Sequence, residues 1–96
     1  MSQPNSTELA VLKHLWTRGP QSAREVHEAV GPRQGWKAST TRTVIARMEE
    51  KGWVSRAEVH GVAVYAAALD RTATLGGLVR HLARHILDMD GPLPAA

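Results

Sequence analysis

Leu9, Leu12, Leu15 and Trp16 recur three and four residues apart, the spacing that lines one face of an α-helix. Asn5 stands where a helix cap belongs, and Glu8 three residues on completes a reciprocal capping box. Gly19 and Pro20 end the pattern: glycine adopts the left-handed conformation after a helix, and proline cannot continue one. The same grammar returns at once. Ser22 and Glu25 form a second capping box, Val26, Ala29 and Val30 face inward, and Gly31-Pro32 is expected to close a helix of about two turns. So short a connection between the two helices predicts a steep crossing, as in a helix-turn-helix unit. After a loop from Arg33 to Ala38, a third helix is expected with Ser39 as its cap. Thr41, Val44, Ile45 and Met48 share one face; Arg42, Thr43, Ala46, Arg47 and Glu50 share the other. Gly52 stops it after Lys51, a cation well placed for the negative end of the helix dipole.

From Trp53 the period shortens to two. Trp53 to Ala57 reads as a strand, Glu58 to Gly61 as a turn, and Val62 to Ala67 as the returning strand. A last helix is expected from Arg71 to Met89, capped by Asp70. Its stripe of Leu75, Leu78, Val79, Leu82, Ile86 and Met89 exceeds what a three-helix core with a hairpin can cover. Half of that helix can fold back on the first one, but burial of its distal half against a second copy of the chain is the preferred expectation. Gly76-Gly77 near its start implies a close helix contact or a flexible joint. The expected fold is mainly α with a small β-hairpin: a winged helix-turn-helix, three-helix core plus wing, followed by one long C-terminal helix. The expected division is residues 1–69 for the winged helix, 70–90 for a dimerising helix and 91–96 for a disordered tail.

Composition narrows the function. With 96 residues and no cysteine, a disulfide scaffold, a Cys-type zinc site and thiol catalysis are all excluded. The first ten residues lack a signal peptide's cationic patch and apolar run, no stretch is long and apolar enough to span a bilayer, and a cytoplasmic protein without membrane contact is expected. The net charge of +3 is modest, but its placement is not uniform. Residues 1–32 balance three cations with three carboxylates, and residues 57–96 set three against four. Residues 33–56 hold six cations against two carboxylates, a local surplus of +4 typical of an anion-binding surface. Glycine-rich phosphate loops, HExxH motifs and nucleophile elbows do not occur, so no enzyme is expected, and no small-molecule substrate is evident. His81 and His85 have metal-ligand spacing but no third ligand, so neither metal nor cofactor is expected.

Double-stranded DNA is the expected partner. Arg42 and Arg47 would divide between base edges and phosphates, and the hydroxyls of Ser39, Thr40 and Thr43 would serve phosphates more often than bases. Lys37, Arg33 and Arg56 are phosphate candidates, while Arg24 either clamps a phosphate or pairs with Glu28. Trp16, Trp53 and Tyr65 are expected in the core, Trp36 partly exposed near the groove, and His14 and His27 in ordinary surface roles. The alternative is a winged helix that serves as a protein-interaction module without binding DNA. That use predicts a neutral or acidic third helix, which the +4 stretch opposes.

The segments LAVLKHLW and RGP, SAREVHEAV, STTRTVIARMEEKGWV, and a hairpin ending in VYAA, in that order and spacing, resemble the penicillinase repressor (BlaI/MecI/CopY) family. The resemblance runs from Glu8 to Ala67 and more loosely to Gly91. It implies a dimeric winged-helix repressor of a palindromic operator, with the third helix in the major groove and Ser39, Thr40, Arg42, Thr43, Ala46 and Arg47 at or beside its DNA-facing positions. The sequence departs from the family pattern at Thr41, where a hydrophobic residue is usual, at Ala38, often a Tyr, and at Val62, where the wing commonly carries a basic residue. The cleavage site of some members and the cysteine-rich tail of others are not reproduced. Members usually continue for two more helices after the segment matching Asp88 to Gly91, so dimerisation is expected either to rest here on the single helix from Arg71 to Met89 or to be weak.

Overall fold

The computed structural model describes residues 3–90, with side chains as far as Ile86. The elements follow the order α1 (Ser6–Arg18), β1 (Gln21–Ser22), α2 (Ala23–Gln34), α3 (Ala38–Glu50), β2 (Val54–Val59), β3 (Val62–Ala67) and α4 (Arg71–Asp90). This is a winged helix-turn-helix with one long helix after the wing. The expected tail at 91–96 and the side chain of Met89 lie outside the described residues.

Local chemistry sets most boundaries. The Glu8 backbone N–H donates to Asn5 Oδ1 at 2.9 Å, and the Asn5 N–H donates to Glu8 Oε1 at 3.0 Å. Ser22 and Glu25 repeat this box on α2, and the Ala73 N–H donates to Asp70 Oδ2 at 2.9 Å on α4. Two boundaries differ from expectation. Helix α2 does not stop at Gly31-Pro32 but runs one turn further, to Gln34. Pro32 removes a single backbone donor close to the helix end, where the loss is tolerable. Gly35 ends the helix instead, at φ 74°, and the Trp36 N–H donates back to the Gly31 carbonyl at 2.9 Å. The longer α2 leaves only Gly35, Trp36 and Lys37 as the turn. Helix α3 therefore begins at Ala38, with Lys37 at the cap position and Ser39 inside the first turn.

The wing is also tighter than expected. Strands β2 and β3 pair antiparallel from Val54↔Ala67 to Val59↔Val62, leaving His60 and Gly61 as a two-residue turn. Both take positive φ, 51° and 78°, as a hairpin turn that matches strand twist requires. A strand absent from the sequence reading, β1, lies on the other edge of β3 with Gln21 opposite Tyr65, so the sheet order is β1-β3-β2.

The core is small. Val11, Leu12 and Leu15 of α1 meet Val26 and Val30 of α2, Ile45 and Met48 of α3, and Trp53 and Val54 at the wing base. Trp53 is buried, while Trp16 and Tyr65 are half-buried against this cluster. The Trp16 indole N–H donates to the Leu69 carbonyl at 3.0 Å, anchoring the segment that leads into α4.

Glu8 joins distant parts of the chain. It is 7% exposed, and its second oxygen receives the Lys51 ammonium at 3.0 Å while that ammonium sits 4.5 Å from the Trp53 ring centre. Glu8→Ala removes half of a capping box and leaves Lys51 without its carboxylate. Thermal denaturation should show a loss of about 2 kcal/mol, corresponding to roughly 10 °C in Tm for a domain of this size. An unchanged melt would show that the bridge contributes nothing.

Helix α4 stands away from this core. The radius of gyration is 15.8 Å, against about 12.5 Å for a compact domain of this length. Thr74 is buried, but Val79 and Leu82 are 67% and 58% exposed. Packing of the distal half back on α1 is thus not what the structure shows. The helix runs unbroken through Gly76 and Gly77, and the Gln3 side chain lies beside Gly77, 3.7 Å from where a Cβ would stand.

Candidate nucleic-acid interface

Helix α3 offers one face to the core and the other to solvent. Thr41, Ile45 and Met48 are buried, and Val44 packs against the same cluster. At roughly 100° per residue, Ser39, Thr43, Ala46 and Glu50 lie along the line facing straight outward. Arg42 and Arg47 flank that line, each roughly 70° to one side. Ser39, Thr40, Arg42, Thr43, Ala46 and Arg47 are all exposed. The result is a strip of small side chains, ended by the Glu50 carboxylate, bordered by two guanidinium groups. In the free protein the Thr43 hydroxyl donates to the Ser39 carbonyl at 3.0 Å.

The remaining basic positions separate. Lys37 is exposed at the entry to α3, and Arg56 is exposed near the wing base, opposite Tyr65. Arg24 lies beside Glu28 with its Nε 3.7 Å from the carboxylate, in an exposed pair of small energetic weight. Arg33 lines a groove between α1 and α2 rather than the face of α3. Lys51 is paired with Glu8, so one cation of the +4 stretch has a carboxylate partner although it remains exposed. The wing tip carries no Lys or Arg: Val59 and Val62 sit across from each other, 49% and 52% exposed.

One contact beneath the interface was not legible as such. Thr41, fully buried, meets His27 Nδ1 through its hydroxyl at 2.6 Å, bracing α3 against α2. Gly31, four residues after His27, makes this possible, because a Cβ there would collide with the imidazole ring. His27 is therefore a half-buried tie between the two helices, not an ordinary surface histidine. A hydroxyl on an otherwise apolar helix face was the available signal.

On α4, His81 and His85 stack with ring centres 6.3 Å apart, both exposed. No group of three His, Asp or Glu side chains suited to a metal is present among the described residues. Nor is any helix among them long and apolar enough to cross a membrane.

The family model described as penicillinase repressor matches residues 5–93. A transcriptional regulator BlaI of Mycobacterium tuberculosis is 36% identical over 73 residues, which is 75% of this chain and 53% of that protein. The chain thus spans about half the length of the curated relatives it matches. Among solved structures, a MarR family protein from Bacillus stearothermophilus superposes with a TM-score of 0.63 at 17% identity, covering 94% of this chain and 61% of the other. A homodimeric winged helix-turn-helix DNA-binding domain from Mycobacterium bovis, described as a possible ArsR-family regulator, superposes at 0.60 with 20% identity, covering 94% and 79%. At these identities the structural likeness concerns the fold.

Proposed function

Because the chain belongs to the penicillinase repressor family, we propose that it represses transcription by binding an inverted-repeat operator as a homodimer, with α3 in the major groove. The observation that carries this reading is the outer face of α3. Arg42 and Arg47 border a strip of Ser39, Thr43 and Ala46 small enough to let the helix approach base edges. Arginine can contact guanine bidentately, and small apolar groups can meet the thymine methyl. Lys37, Arg56 and Arg24 would hold phosphates on either side and so fix the helix in register.

An apolar tip leaves the wing little to offer a phosphate, so positioning falls to the helix-turn-helix itself. The apolar stripe of α4, with Val79 and Leu82 exposed and Leu75, Leu78 and Ile86 half-buried, would bury against the same helix of a second copy. Two α3 helices would then reach successive major grooves about 34 Å apart. Such a regulator acts in the cytoplasm.

Fluorescence anisotropy on promoter DNA adjoining the gene, repeated over a range of salt, tests the DNA reading. Three or four phosphate contacts per protomer should make the affinity of the dimer fall roughly a thousandfold between 50 and 200 mM salt. Binding that is indifferent to salt would overturn it.

A further inference from the structure

Between α1 and α2 lies a groove of about 320 Å³. Ala10, Lys13, Thr17 and Arg18 fall on one face of α1, and Ala29, Val30 and Arg33 on the facing side of α2. Small residues at Ala10 and Ala29 keep the floor open and apolar. The rim is cationic: Lys13, Arg18 and Arg33 stand around it with His14, and no carboxylate lines it.

Three nearby carboxylates have bonds of their own, and two of them, Glu25 and Glu28, line an adjoining hollow together with His14 and Arg18. Glu8 holds Lys51 and caps α1. Glu25 accepts the Ser22 backbone N–H at 2.9 Å, and this bond, with that to the Ser22 side chain, keeps its carboxyl below the usual carboxylate range. Glu28 lies beside Arg24. Among the described residues, none of Lys13, Arg18 and Arg33 has a carboxylate oxygen within 4.0 Å. The Thr17 hydroxyl is turned to the Lys13 carbonyl at 2.8 Å, so the groove's polar lining consists of its cations, His14 and the Gln34 amide.

Three cations lining an apolar-floored groove suit one kind of occupant. We propose that this groove binds a compact organic anion with two or three acid groups, carboxylate or phosphate, on a short carbon skeleton. The volume is at the lower end of small-molecule sites and too small for a folded partner. The cations supply charge-assisted hydrogen bonds, and the two alanines and Val30 cover the carbon atoms. This site is independent of DNA binding by α3.

Citrate and inorganic phosphate, titrated at constant ionic strength into the 15N-labelled protein, distinguish the carboxylate from the phosphate source. Saturable amide shifts confined to α1 and α2 around Ala10, Lys13, Thr17 and Ala29 are expected from at least one of them. Lys13→Gln with Arg33→Gln should weaken that binding at least tenfold while the far-ultraviolet spectrum and melt remain those of the wild type. If both variants lose structure, Arg18→Gln alone, farther along the rim, should still weaken binding severalfold. Shifts from both probes that fail to saturate, or that survive the substitutions, overturn the proposal. So does a salt dependence of operator binding that flattens in the Lys13→Gln, Arg18→Gln variant, because the groove would then hold a DNA phosphate instead.

Discussion

Replacing Arg42 and Arg47 together by alanine is expected to weaken operator binding roughly a hundredfold or more, since each base or phosphate contact of this kind contributes about 1–3 kcal/mol. Both side chains are exposed, and among the described residues neither has an ion-pair partner, so the melt should barely move. The single variants separate their roles. Loss of a guanidinium that reads a base relaxes specificity at one operator position. Loss of one that holds a phosphate weakens all sequences alike and lowers the salt slope by about one. Anisotropy with the operator and with a scrambled duplex, at several salt concentrations, measures both quantities. Unchanged affinity in the double variant would remove α3's arginines from the interface, and with them the main support for the proposed function.

The second large effect concerns α4. Leu82→Asp places a charge in the middle of the exposed stripe, where it costs an isolated protomer little because Leu82 is already 58% exposed. If this stripe is the dimer contact, the variant should sediment as a monomer. Its operator affinity should fall by at least a hundredfold, because the second half-site is then no longer bound intramolecularly. Affinity for a single half-site should stay near the wild-type value, which distinguishes lost dimerisation from damage to α3. A wild-type chain that sediments as a monomer at tens of micromolar, about the scale of a weak dimer, would refute the contact, as would a dimeric Leu82→Asp variant.

Much of the fold was readable along the chain, for an identifiable reason. The capping boxes of Asn5 with Glu8 and Ser22 with Glu25, and the Asp70 cap, are contacts between residues three apart, so sequence spacing alone specifies them. The outward face of α3 follows from the same short-range geometry. Local signals mislead where a more distant contact competes with them. Gly31-Pro32 looked like a helix end, but Gly35 and the packing of Trp36 carried α2 one turn further. The two residues of β1 have no period to detect and are a strand only because β3 passes beside them.

Sequence alone determined the helical elements, the hairpin, the apolar stripe of α4 and the basic character of the stretch around α3, since all of these depend on neighbours within a turn or two. Tertiary structure decided which charges remain available. Residues 1–32 sum to neutrality, yet folding ties Glu8 to Lys51, 43 residues away, and leaves Glu25 and Glu28 on their own helix. Lys13 and Arg18 line a groove with Arg33, while the charge of Lys51, still at the surface, is offset by Glu8. Charge sums are additive along a chain, but ion pairing is not: it depends on which side chains the packed core brings within a few ångströms of each other.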